Sequence, residues 1–124
     1  MAWMQSRVGL VASSLLVLGS FAYAADARKL EYVLSGGAIN GVTPSGKAVI
    51  DQPQIPGTLT CEVQNVNLPD GTVLVVRVNF YSAGTLTLSG GRAKMQASIP
   101  FQVRTGPFEI LYNGSVIMTG RWKI

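Results

Sequence analysis

Apolar and polar residues alternate one for one along most of the chain after residue 28. That is the period of a strand with one buried face and one wet face. Leu30, Tyr32 and Leu34 alternate with Lys29, Glu31 and Val33, predicting a first strand that ends at Gly36-Gly37. A short second strand is expected over residues 47–51. In residues 58–81, Leu59, Cys61 and Val63 share one parity and Thr60, Glu62 and Gln64 the other. After Asn67-Leu68-Pro69-Asp70-Gly71, the residues Leu74, Val76, Val78 and Phe80 share the inward parity of a second arm. Pro69 presets a negative φ and Asp70-Gly71 favours reversal. Residues 58–81 are therefore expected to form a central β-hairpin around which the rest is built.

Turn chemistry divides the remainder. Residues 38–46 hold turn formers around Ile39 and Val42, and predict a loop or a bulged crossing between sheets. Two prolines in residues 52–57 exclude a central strand there and predict a connector. Ser82-Ala83-Gly84 interrupts the alternation, residues 85–88 resume it, and Ser89-Gly90-Gly91 turns the chain. Ala93, Met95, Ala97 and Ile99 then face inward, with Arg92, Lys94, Gln96 and Ser98 outward. Asn113-Gly114 between apolar arms is a strong hairpin signal. Its second arm puts Val116, Met118, Trp122 and Ile124 inward and Arg121 and Lys123 outward. No helical period appears after residue 24. Seven to eight short strands with one apolar face each predict an all-β, antiparallel β-sandwich of immunoglobulin-like size.

The first residues follow other rules. Arg7 precedes an apolar run over residues 8–21, which ends at Ala22-Tyr23-Ala24. The run is short of a membrane span and finishes on a small-x-small cleavage pattern. Residues 1–24 are read as a secretory signal peptide and residues 25–124 as one domain, secreted or periplasmic in a bacterium, with no span left after cleavage.

Charge and residue inventory then remove whole classes of function. Ten Lys and Arg oppose six acids, for +4. Cleavage after Ala24 removes Arg7 and no acid, leaving nine against six, or +3. With no dense basic run, nucleic acid is not an expected partner. The chain has no His, which excludes Ser-His-Asp and Cys-His nucleophiles and imidazole metal sites. Cys61 is the single cysteine, so no internal disulfide forms, and its parity with Leu59 and Val63 predicts a buried thiol. The six acids are scattered and none lies in a calcium loop. No catalytic, cofactor-binding or metal residue is expected, and the protein is read as not an enzyme.

Two groups of outward positions stand out. Arg77, Arg92, Lys94, Arg121 and Lys123 make a basic face if their strands are neighbours, suited to an acidic glycan, lipid headgroups or a protein partner. Val73, Val75, Leu111 and Ile117 make an apolar interface if nothing covers them. The leading expectation is a non-catalytic structural or interaction module, such as a subunit of an envelope or extracellular assembly, with self-association or an envelope protein as partner. The alternative is a module that binds an anionic glycan or surface polymer through the outward Arg and Lys.

The segments Ile39-Asn40-Gly41-Val42-Thr43-Pro44-Ser45-Gly46 and Asn65-Val66-Asn67-Leu68-Pro69-Asp70-Gly71-Thr72 resemble a pattern in small secreted bacterial all-β proteins of unassigned function. A fainter likeness is to the CHRD domain, an extracellular β-sandwich whose typical histidines this chain lacks. The resemblance implies an all-β extracellular domain and carries no functional residue.

Overall fold

A computed structural model describes residues 29–123. The signal peptide over residues 1–24 and the inward position of Ile124 lie outside the described residues. Eight strands form: β1 (Lys29–Ser35), β2 (Ser45–Asp51), β3 (Gly57–Gln64), β4 (Val73–Val78), β5 (Tyr81–Thr87), β6 (Ala93–Ile99), β7 (Phe108–Tyr112) and β8 (Ser115–Trp122). All pair antiparallel, in one hydrogen-bonded sheet of order β5-β4-β7-β8-β1-β2-β3-β6. The sheet curls until its end strands β5 and β6 meet, so it is nearly closed around the core. The all-β, antiparallel architecture follows from the alternation: Leu30, Tyr32, Leu34, Leu59, Cys61, Val63, Leu74, Val76 and Val78 all point inward and are buried.

At the centre, the Tyr32 and Phe108 rings lie 4.9 Å apart. Gly120 makes room for Phe108 and Leu34. A Cβ at Gly120 would lie 2.9 Å from the Phe108 Cβ and 3.1 Å from the Leu34 Cδ2, so this strand position tolerates no side chain without repacking.

The expected central hairpin over residues 58–81 does not form. β3 pairs with β2 and β6, whereas β4 pairs with β5 and β7. The connection over residues 65–72 is too long for a tight turn and carries Val66, which is fully buried. The Val66 N–H donates to the Gly91 carbonyl at 3.0 Å, the Gly71 N–H to the Leu88 carbonyl at 2.8 Å and the Leu88 N–H to the Thr72 carbonyl at 2.9 Å. Burying Val66 over the end of the core draws the chain across to the other half of the sheet. The hairpins that do form are β1 with β2, β2 with β3, β4 with β5, and β7 with β8. At the last of these Asn113 and Gly114 have φ of +49° and +81°, as the Asn-Gly signal predicts.

Two bulges shift the side-chain parity. Between β4 and β5 the register passes from Val76 opposite Gly84 to Arg77 opposite Ser82, leaving Ala83 as an extra residue. Residues 82–84 therefore bend a strand rather than end it. Between β7 and β8, Ile110 faces Met118 but Leu111 faces Val116, so Ile117 is extra. Met118 stays inside, 1% exposed, while Val116, expected inward, is 43% exposed.

The connections separate into two ends. Residues 36–44, 65–72, 88–92 and 113–114 cover one. Residues 52–56, 79–80 and 100–107 cover the other, together with the start of β1 and the end of β8. Gln52, 4% exposed, clasps the second end. Its Nε2 donates to the Val103 carbonyl at 2.6 Å, and its Oε1 accepts the Val103 N–H at 2.9 Å.

Candidate functional site

The five outward cations do not make one face. In the sheet order β7 separates β4 from β8, β5 separates β4 from β6, and β1, β2 and β3 separate β8 from β6. Arg77 on β4 lies opposite Glu109 on β7. Its Nη2 and Nε both donate to the Glu109 Oε1, at 2.7 and 3.0 Å. Lys94 on β6 faces Glu62, which the Lys47 Nζ also approaches at 3.8 Å. The Lys123 Nζ lies 3.9 Å from the Glu31 Oε1. Arg121 stands opposite Val33, and Arg92 sits in the turn before β6, bridged to Ser89. Three of the five are thus beside carboxylates. Their strands were never neighbours, which alternation alone cannot reveal.

The apolar group is likewise divided. Val73 is 51% exposed, but Leu111 is only 7% exposed. Val75 is half-buried, and Ile117 packs against the core. Leu111 lies opposite Val75 in the β4–β7 pairing and is nevertheless buried, so it is not an open interface residue.

The end built from residues 52–56, 79–80 and 100–107 holds what the sequence reading placed wrongly. Phe80 was expected in the core on parity with Leu74, Val76 and Val78. It is 73% exposed, the most open of the large apolar side chains among the described residues. The reason is the two-residue turn between Val78 and Tyr81, which Asn79 and Phe80 occupy with φ of +49° and +68°. Such turns favour Asn-Gly, because a bulky L-residue at positive φ costs about 1–2 kcal/mol. The Arg77 guanidinium lies 5.7 Å from the Phe80 ring centroid, within cation–π range. Tyr81, 41% exposed, meets Phe101 edge-on at 5.3 Å.

The base of this turn is tied to the connection over residues 100–107. The Asn79 N–H donates to the Pro107 carbonyl at 2.9 Å. Gly106, at φ +115°, leaves space that a Cβ would take from the Asn79 carboxamide. The Asn79 Oδ1 is buried without a hydrogen-bond partner, a local cost that accompanies the tip's conformation.

The opposite end holds a shallow depression of about 330 Å³ bounded by Val42, Leu68, Asp70 and Gly91. Here the two segments that carry the resemblance touch. The Asn40 Nδ2 donates to the Asn67 carbonyl and the Asn67 Nδ2 to the Asn40 carbonyl, each at 3.1 Å. The Asp70 Oδ1 accepts the Gly90 N–H at 2.8 Å. These side chains tie loops together.

Burial pushes the Cys61 thiol up to about 12, with a smaller opposing effect from a backbone hydrogen bond and a further upward push from the Glu62 charge. It stays a protonated core group at neutral pH. Burial also raises the Tyr32 phenol, against a hydrogen bond with the Trp122 side chain that lowers it. Among the described residues, no three His, Cys, Asp or Glu side chains gather to hold a metal ion. The chain matches no protein-family model, no curated protein and no solved structure.

Proposed function

We propose that this protein is a non-catalytic interaction module, exported by a bacterium to the periplasm or beyond, that docks on an envelope component through the end carrying Phe80. One observation carries the reading. An aromatic side chain stands 73% exposed at φ +68°, on a turn where glycine would fit without strain. A residue that costs backbone energy and leaves most of its apolar surface wet gains little for folding beyond its contact with Arg77, and backbone strain of this kind concentrates at ligand clamps and switch regions. The Arg77 and Glu109 pair and the Asn79 anchor hold the turn in place before any partner arrives, which lowers the ordering cost of association.

Spanning a membrane does not suit the sheet. Its buried face is apolar and its outward face carries Lys47, Glu62, Lys94 and Gln96, the reverse of a barrel that faces lipid. No helix among the described residues is long and apolar enough to cross. The alternative, an anionic glycan bound through the outward cations, has less support because Arg77, Lys94 and Lys123 sit beside acids.

The test is fractionation of producing cells that carry the native protein or Phe80→Ser. The native protein should remain with the envelope and the variant should be released, with both melting alike. Identical distribution of the two would sink this reading.

A further inference from the structure

We infer that the occupant of this end is the headgroup region of an anionic lipid bilayer, met by the protein lying on the surface rather than crossing it. The inference rests on the interaction-module reading and names its partner. Four of the exposed large apolar side chains lie at this end: Ile55 at 48%, Phe80 at 73%, Tyr81 at 41% and Trp122 at 45%. They occupy three stations around the rim. Phe80 and Tyr81 stand at the turn from β4 to β5, Trp122 at the end of β8, and Ile55 in the connection from β2 to β3. In the order of the nearly closed sheet one strand lies between each station and the next: β7, then β1, then β6.

That spacing decides the kind of partner. A protein pocket rewards a contiguous anchor surrounded by contacts that exclude water. Separate anchors spread around a rim instead match a flat, deformable interface, into which each can dip independently. Trp and Tyr favour the level of the lipid headgroups, because an apolar ring and a polar tip are both satisfied there. Tyr81 is such a side chain, Trp122 exposes its ring while its polar tip hydrogen-bonds with Tyr32, and Phe80 is the projecting apolar tip.

Charge selects the lipid. Arg104 lies in the rim connection over residues 100–107, where its Nη2 donates to the Gln102 Oε1 at 3.4 Å rather than to a carboxylate. Lys29, opposite Asp51 at the start of β1, and Lys123, 3.9 Å from Glu31 beyond β8, lie at the same end. A guanidinium without a carboxylate partner among the described residues can donate to lipid phosphate, and cations near an anionic surface each add attraction that salt screens.

The experiment floats the exported protein with vesicles of phosphatidylcholine alone, or of two parts phosphatidylcholine to one part phosphatidylglycerol, and follows tryptophan emission. The mixed vesicles should carry the protein upward and shift the emission of Trp122 to shorter wavelength. Phe80→Ser should weaken partitioning about tenfold, below the full transfer value of a phenyl ring. Arg104→Ser should weaken binding to the mixed vesicles but not to phosphatidylcholine alone, whereas Val73→Ser at the opposite end should change nothing. Melting curves establish that each variant is folded. Absence of flotation with either vesicle, or equal flotation of native protein and Phe80→Ser, overturns the lipid inference. If the native protein is nevertheless envelope-retained in cells and Phe80→Ser is released, the module reading stands with a protein or glycan partner. If retention is also unchanged, both fall.

Discussion

Gln52 holds the rim together, and its removal has a worked consequence. The side chain is 4% exposed and exchanges two hydrogen bonds with the backbone of Val103, at 2.6 and 2.9 Å. Val103 is itself fully buried. Gln52→Ala would leave a buried N–H and a buried carbonyl without this partner. Each orphan costs about 1–3 kcal/mol, and water entering the space returns part of it. A net loss of about 3 kcal/mol is expected, or about 15 °C in Tm for a domain near 100 residues. Urea unfolding of native and variant protein, followed by circular dichroism at neutral pH, measures this directly. Gln52→Glu adds a pH signature. The carboxylate would be desolvated and would lose the donor that faces the Val103 carbonyl, so its folded pKa rises above the unfolded value of about 4.3. Stability conferred by the protonated form is fully present below that unfolded pKa and is lost as pH rises through the folded pKa. The variant should approach native stability near pH 4 and fall behind steadily toward pH 7. A loss under 1 kcal/mol for Gln52→Ala, or a flat difference between Gln52→Glu and native protein across that range, would refute the argument.

Three further residues test the packing. Cys61 is fully buried, with its thiol pushed up to about 12; a thiol reagent should label it only after denaturant is added, and the native protein should run as a monomer on non-reducing gels. Relative to Cys61→Ala, native stability should be level below about pH 8.5 and then decline, because the unfolded thiol ionises first. Gly120→Ala should cost about 1–3 kcal/mol in urea unfolding, since its Cβ would press on Phe108 and Leu34. Phe80→Gly should change stability by less than about 1 kcal/mol, because relief of positive φ offsets the lost contact with Arg77 and the greater freedom of the unfolded chain. A loss of about 3–5 kcal/mol, the cost of truncating a core Phe, would return Phe80 to the interior.

Alternation is a local property, and what depends on it was legible. Leu30, Leu59 and Val76 face the core because a pleated strand turns successive side chains to opposite faces, whatever its neighbours are. The same reasoning placed Cys61 inside, and Asn113-Gly114 announced its own turn through the positive φ that both residues accept. Pairing between distant strands was not legible. Nothing within residues 58–81 says that β3 will leave β4 for β2 and β6, since that choice depends on where Val66 can be buried. The basic face dissolved for the same reason: Arg77, Lys94 and Arg121 are outward by parity, but the sheet order keeps their strands apart. Single extra residues did the rest. Ala83 and Ile117 shift the register by one, and with a period of two such a shift exchanges inside for outside, as at Val116. Phe80 marks the boundary between the two kinds of information: its parity follows from the strand before it, whereas its exposure was decided by the pairing of Val78 with Tyr81, which left it at the tip of a turn.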